Sequence, residues 1–323
     1  MVTLGIVGAG FMGSAHAASY AALGGRVRVK AVCGRSFERA AKVAASVGAS
    51  PTTELEALLA DDEIDAVDIC VPTPLHREVA VQAFAARKHV FLEKPIALTV
   101  DEANAIMAAA DLAGTILMVG LALRYRPEYV ALRRLVERGD LGRPKAVSTR
   151  RLSPPADWAD WLRDPAQSGG TPVDLMVHDF DQMNALLGAP RSVYATEPQP
   201  GHVHAIVQYG DASGVAEGST AMPRSYPSSS EIRVLGESGV AECAEGNGAS
   251  SSARGLRVYP AGGEPRVEEA ESAGPSRPEL EAFVACVEEG RRPEQGTGEQ
   301  ARRALQVSLA AARSLASGRP EPV

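Results

Sequence analysis

The stretch Val2-Thr3-Leu4-Gly5-Ile6-Val7-Gly8-Ala9-Gly10-Phe11-Met12-Gly13 decides how this chain is read. A short apolar run ends in glycine, and Gly8, Gly10 and Gly13 then carry the spacing G-x-G-x-x-G at a predicted strand-to-helix turn. At such a turn the first glycine permits the tight reversal, and the second lets the backbone approach a pyrophosphate. The third lets helix and strand pack closely. The phosphates would meet free N–H groups at the positive end of the helix dipole, with Phe11 and Met12 in its first turn. Three glycines alone also fit a turn that holds no ligand. Their place after a strand, at the head of a strand–helix series, points to a dinucleotide.

Outward from that turn, apolar runs at Leu4–Val7, Val27–Val32, Ala66–Val71, His89–Leu92 and Ile116–Val119 alternate with helical patterns. Thr53 with Glu56, and Thr99 with Glu102, have the spacing of capping boxes. Strands alternating with helices predict a parallel sheet with right-handed crossovers over residues 1–120. After Gly120 the pattern changes. A helix is predicted over Pro127–Glu137, then strands at Ala146–Arg151, Val193–Thr196, His204–Tyr209 and Glu231–Leu235. Their Gly, Pro and Ser punctuation predicts a mixed or antiparallel sheet in a second domain, residues 121–323. Residues 241–278 read as hairpins and surface loops, with Leu256–Tyr259 as one strand. Two helices, Pro278–Glu289 and Gly298–Ser317, close the chain and are candidates to pack back on the first domain.

The bulk composition narrows the function classes. The 323 residues are 45% hydrophobic and 23% charged, ordinary for a globular protein. A net charge of −7 argues against a nucleic-acid partner. No apolar run approaches the roughly 18 residues that span a bilayer, and the first residues lack the pattern of a secretory signal. A cytoplasmic location with no membrane partner is the expectation. Cys33, Cys70, Cys243 and Cys286 lie far apart and predict neither a disulfide frame nor a zinc site.

Two further regions carry chemistry. The second strand ends in Gly34-Arg35-Ser36, with Arg39 following, where a dinucleotide fold selective for NAD would place a carboxylate. An arginine there can pair with a 2′-phosphate, which favours NADP; as a solvated loop residue it would leave NAD equally acceptable. At the tip of the strand ending in Leu92 stand Glu93, Lys94 and Pro95. Proline restricts its predecessor to extended backbone, so the direction of Lys94 is constrained. A fixed ammonium at a strand end can stabilise negative charge on a reacting hydroxyl, or it is simply an exposed loop lysine. Further on, Gly169 to Asp181 looks like a loop feeding a helix, with Thr171 as N-cap and Pro172 in the first turn. Asp174 and His178 would then share one helix face. His178 suits acid–base work on a hydroxyl, and Asp174 could orient it or bind substrate. Equally, Asp174 completes a cap and His178 is a hydrogen-bonded structural histidine.

The ordered set of motifs settles between those readings. It comprises the glycines at 8–13, Pro72-Thr73-Pro74-Leu75-His76, Glu93-Lys94-Pro95, Val119-Gly120 followed by Arg124-Tyr125, Gly139-Asp140-Leu141-Gly142, and Asp174 with His178. Together these resemble the glucose–fructose oxidoreductase / inositol dehydrogenase family (Gfo/Idh/MocA), and Val177–Asp181 is similar to its inositol dehydrogenase branch. The resemblance implies an N-terminal Rossmann dinucleotide-binding domain plus a C-terminal α/β domain with a mostly antiparallel open sheet. It implies catalytic roles for Lys94, Asp174 and His178. It also implies cofactor contacts around Pro72, Thr73, His76 and Glu93, and a homodimer or homotetramer formed through the open sheet. Where many NAD-using members carry aspartate this chain has Gly34, like the Ser-Arg type of NADP-using members.

The activity expected from the resemblance is oxidation or reduction at a secondary alcohol or ketone of a sugar or cyclitol. Its rivals are a cofactor-recycling lyase or glycosidase and a non-catalytic dinucleotide-binding sensor. Arg124 and Trp161 are candidate substrate contacts. Arg124 could instead pair within the domain interface, and Trp158 and Trp161 could be core residues. His202 and His204 share a strand face and are not read as ligands. No metal site is expected.

Overall fold

A computed structural model of the protein describes residues 1–246, 255–268 and 277–323. The chain divides into two compact units, Met1–Ala122 with Ala273–Arg302 and Leu123–Ser272 with Arg303–Val323. The closing helix Pro278–Glu289 therefore belongs to the first unit, and Gly298–Ser317 is divided between the two.

In the first unit six strands form one parallel sheet: β1 (Val2–Val7), β2 (Val27–Cys33), β3 (Ser50–Thr52), β4 (Ala66–Ile69), β5 (His89–Leu92) and β6 (Leu117–Val119). Their order is β3-β2-β1-β4-β5-β6. The winding reverses between β1 and β4, and such a switch opens a crevice at the C-terminal strand ends. Helices α1 (Phe11–Ala22), α2 (Phe37–Val47), α3 (Leu55–Leu59), α4 (His76–Ala85) and α5 (Val100–Ala113) provide the crossovers. The predicted capping box of α5 forms in full, Thr99 accepting from the Glu102 N–H and Glu102 from the Thr99 N–H. The one predicted at Thr53 does not. Residues 50–52 pair with β2 as a strand that composition did not signal, and α3 starts only after Glu54. Thr53 donates to the Glu54 side chain instead.

The second unit contains α6 (Pro127–Glu137), α7 (Pro165–Ser168), α8 (Gly170–Asp174) and α9 (Val177–Leu187). Its strands are β7 (Pro144–Leu152), β8 (Ser192–Gln199), β9 (His202–Tyr209), β10 (Ala212–Ser219), β11 (Ser229–Gly236), β12 (Gly239–Gly246), β13 (Leu256–Pro260), β14 (Arg266–Glu268) and β15 (Glu321–Pro322). Among the described residues they form a sheet in the order β14-β13-β12-β11-β7-β10-β9-β8-β15, antiparallel except between β7 and β10. The expected second sheet is thus present and larger than the sequence suggested. The expected strand at Leu256–Tyr259 forms as β13, and residues 241–246 and 266–268 of the same segment are strands as well. Within that reading, residues 247–254 and 269–276 lie outside the described residues.

One face of this sheet carries the core, where Val203, Ala205 and Val207 alternate with exposed His204, Ile206 and Gln208 along β9. Phe180 and Met183 of α9 join that core. Two glycines of β10 let α9 come close: a Cβ on Gly214 would meet Met183 Sδ at 2.5 Å, and one on Gly218 would meet Met176 Cγ at 2.4 Å. Filling either site would force the methionine above it to repack.

Candidate active site

In the first unit the residues singled out for a cofactor converge on one sheet edge. The register pairs Val7 with Cys33 and Ile69, and Ile69 with Leu92. Gly8, Gly34, Pro72 and Lys94 therefore follow strand ends that lie side by side. Gly8 has φ +116°, and a Cβ there would sit 2.5 Å from the Cys70 carbonyl oxygen; one on Gly13 would lie 1.8 Å from Gly8 O. Gly10, the N-cap of α1, has nothing within 4 Å of its Cβ position. Two glycines are thus fixed by packing, and the middle one faces the room a pyrophosphate needs. Phe11 beside it is exposed. This geometry fits a dinucleotide. Gly34 lies against the same turn, its Cβ position 3.1 Å from Ala9 Cβ. Ser36 caps α2 by accepting from the Arg39 N–H at 3.3 Å, and Arg35 and Arg39 are exposed.

Lys94 tops β5, joined to Pro95 by a cis peptide. Two residues expected at the cofactor, Glu93 and His76, make contacts with the protein around it. Glu93 is nearly buried: its Oε2 accepts the Lys94 N–H at 3.0 Å and its Oε1 lies 3.1 Å from His16 Nε2. His76 is 1% exposed, with Nδ1 2.9 Å from the Pro95 carbonyl and Nε2 3.0 Å from that of Val71. Burial lowers its pKa, against the two carbonyl contacts. Both follow one rule: buried polar groups take the nearest partners, which here are loop backbone and another side chain. Thr73 is also buried, in the turn Thr73–Leu75.

His16 is the residue that sequence reasoning missed. It is fully buried on α1, with Nδ1 2.8 Å from Asp68 Oδ2. Burial alone would depress its pKa, but the charge of Asp68 overrides this and holds it well above the usual range. Burial pushes Glu93 up, yet His16 and Lys94 hold it below the usual carboxylate range. A histidine on the face that also carries Ala17 and Tyr20 was the available signal, because an inward-facing ionisable group requires a partner.

Asp174 and His178 lie in the second unit, both half-buried, but not on one continuous helix. The Met176 N–H reaches back five residues to the Thr171 carbonyl, and α9 starts afresh at Val177. Asp174 ends α8 and His178 is second in α9. Nor is Thr171 the cap. Gly169 takes that position, while the Thr171 hydroxyl lies 3.2 Å from both Gly201 O and Thr220 Oγ1. Two residues that follow His178 in α9 are paired with arginines. Asp179 accepts from Arg151 at 2.8 Å, and Asp181 from Arg124 at 2.7 Å and 2.8 Å. Burial raises both aspartate pKas against the pull of the guanidinium groups. Arg124, a candidate for substrate contact or for an ion pair, is 5% exposed and pairs with Asp181. A buried carboxylate needs a cation more than a solvated ligand does.

Trp161 is half-buried in the turn Asp160–Arg163, and Trp158 is exposed. His202 and His204 have Nε2 atoms 3.2 Å apart, with Glu217 Oε1 3.4 Å from His202. Arg150 is the register partner of Glu217, and its guanidinium donates to Glu231. None of the four cysteines is in a disulfide, and no described helix is long and apolar enough to cross a membrane.

Comparison with known proteins agrees with this architecture. Residues 2–121 match an oxidoreductase family with an NAD-binding Rossmann fold, and residues 129–242 match the GFO/IDH/MocA C-terminal domain. The inositol 2-dehydrogenase of Rhizobium meliloti is 33% identical over 197 residues, 60% of this chain and 58% of that protein. The D-xylose 1-dehydrogenase (NADP+) 2 of Haloferax volcanii is 30% identical over 269 residues, 81% of this chain and 82% of that one. The crystal structure of GenD2 from gentamicin A biosynthesis, in complex with NAD, is 27% identical with a TM-score of 0.85, covering 100% of this chain and 96% of its own. The chain spans a little over half the length of the first curated relatives it matches.

Proposed function

Because the chain belongs to the Gfo/Idh/MocA oxidoreductase family, we propose that it is an NAD(P)-dependent dehydrogenase or reductase. It interconverts a secondary alcohol and a ketone on a sugar or cyclitol. The observation that carries this reading is Lys94 at the tip of β5, on the sheet edge where Gly8 and Gly13 are packed tight and Gly10 is open. When bound, the nicotinamide supplies the hydride acceptor or donor. In oxidation His178 takes the hydroxyl proton, and Lys94 stabilises the negative charge developing on that oxygen. Asp174 holds substrate or orients His178. In reduction the roles reverse. Trp161 offers an aromatic face to the C–H surface of a sugar, and Arg124, paired with Asp181, is a further candidate contact.

NADP is the preferred cofactor in this reading, with NAD as the alternative. Gly34 leaves the ribose site without a carboxylate, and Arg35 and Arg39 stand exposed beside it. The uncovered sheet face presents exposed Ile206, Val215 and Leu235, which supports a homodimer or homotetramer through that face.

The test is a screen of cyclitols, aldoses and keto-sugars with NAD and NADP, following absorbance of the reduced nicotinamide. Turnover is expected with at least one polyol or keto-sugar. Arg35→Ala should raise the KM for NADP about tenfold more than that for NAD, the loss of one charge-assisted contact. No turnover with any of these compounds overturns the reading. Product formed without net cofactor change would mean transient oxidation followed by elimination or glycosidic cleavage.

A further inference from the structure

Lys94 is held from beneath by side chains far from it in sequence. The Asp68 carboxylate, at the end of β4, meets His16 Nδ1 at 2.8 Å. His16 Nε2 approaches Glu93 Oε1 at 3.1 Å, off the line of an ideal hydrogen bond, so this contact acts mainly as an ion pair. Glu93 Oε2 then accepts the Lys94 N–H at 3.0 Å. Three elements are joined in this way: the helix that follows the glycine turn, the strand across the switch point, and the tip of β5. The His16 and Asp68 side chains are fully buried and that of Glu93 is 12% exposed, so water does not screen the chain of contacts.

The groups facing His16 fix its state. Asp68 and Cys70 come from β4 and its end, and Glu93 from the end of β5. Tyr20 lies one turn along α1 and is coupled to Asp68; Glu279, on the helix Pro278–Glu289, feels the charge of His16. The edge of Phe91 closes the site, its ring centroid 5.6 Å from that of His16. With a carboxylate oxygen at each ring nitrogen, an imidazolium is the form that serves both. Burial pushes the Cys70 thiol upward, so it stays protonated and adds no competing charge.

We propose that His16 is a positioning residue for the reaction: as a buried cation it clamps Glu93, and through Glu93 it sets the backbone at Lys94. The inference rests on Lys94 acting at the reacting oxygen, as argued above. A side chain that must meet a reacting atom gains its effect from correct placement, and a misplacement of about 1 Å costs about a hundredfold in rate. His76 holds the far side of the same loop through the Pro95 carbonyl. Two buried histidines therefore bracket Lys94, but only His16 reaches it through an ionised side chain.

The test is a double-mutant cycle on the full-length protein with NADPH and the best keto-sugar from the screen. The variants are His16→Gln, Glu93→Ala and the pair, with Lys94→Ala as reference. Thermal unfolding checks that each is folded, and His16→Asn replaces His16→Gln if the latter is not. Each single change should lower kcat by about tenfold or more while NADPH affinity, read by fluorescence, stays within about threefold. The isotope effect with 4-deuterated NADPH should rise, because a misplaced lysine slows the chemical step itself. The double variant should lose no more than Glu93→Ala alone, since both act through one group. A purely structural histidine would lower stability and leave the isotope effect unchanged. That result, a wild-type kcat in His16→Gln, or losses that multiply in the double variant overturns the proposal while the role of Lys94 stands. Full turnover in Lys94→Ala overturns both.

Discussion

The two sheets of this protein place chemistry by different means. Strand β4 of the six-stranded sheet is buried at every residue, while β9 of the nine-stranded sheet alternates buried and exposed positions. A parallel sheet sends every strand end in one direction, so Gly8, Gly34, Pro72 and Lys94 reach a common edge by topology alone. The second sheet has no such common edge. It positions α9 by close approach over Gly214 and Gly218, and then fixes the helix with arginines paired to Asp179 and Asp181. In the first unit small changes of backbone volume should therefore be decisive. In the second, buried charge balance should matter most.

The largest effect is expected at Gly13. An added Cβ would meet the Gly8 oxygen at 1.8 Å, and neither backbone can yield. Gly13→Ala should cost more than about 4 kcal/mol, seen as loss of soluble protein or a collapsed denaturant midpoint. Gly10→Ala, whose Cβ enters open space, should stay within about 0.5 kcal/mol of wild type while weakening dinucleotide binding. Equal stability of the two variants would break the argument that only the middle glycine faces a ligand.

In the second unit, Arg151→Ala leaves Asp179 buried without its guanidinium. It should cost about 3–5 kcal/mol in urea unfolding. Joint replacement, Arg151→Met with Asp179→Leu, should recover most of that loss, because two apolar residues need no charge balance. If the single variant is as stable as wild type, charge balance is not what secures α9.

The smallest effect on stability should come from the uncovered face. Leu235→Ser removes an exposed apolar side chain and should change the stability of the folded unit by less than about 0.5 kcal/mol. Its readout is mass in solution: a shift towards monomer in sedimentation identifies the face as a contact between copies. An unchanged assembly would place the contact elsewhere.

Parts of this comparison were legible in the chain itself. The helices Pro127–Glu137, Pro278–Glu289 and Gly298–Ser317 were read with the limits they adopt, because their apolar spacing and flanking Pro or Gly are local signals. β10 escaped notice for a physical reason. Its sequence, Ala-Ser-Gly-Val-Ala-Glu-Gly-Ser, holds Val215 as its one β-branched residue among small ones, because Met183 and Met176 lie close over its glycines. The assumed single helix through Asp174 and His178 failed for a similar reason. Spacing does not reveal that the Met176 N–H bonds five residues back. Glu93 and His76 were placed at the cofactor by resemblance; their protein partners, His16 and the Pro95 and Val71 carbonyls, were not legible from spacing.

By itself, then, the sequence determined the strand–glycine–helix opening, the parallel first sheet, and Lys94 at a strand tip. Each is a matter of local periodicity and turn chemistry, which act over a few residues. Only the tertiary structure decided what supports them. His16 meets Asp68 across 52 positions, and Arg124 meets Asp181 across 57. No local rule pairs groups so far apart; their partners are chosen when burial removes water and each charge must find an opposite.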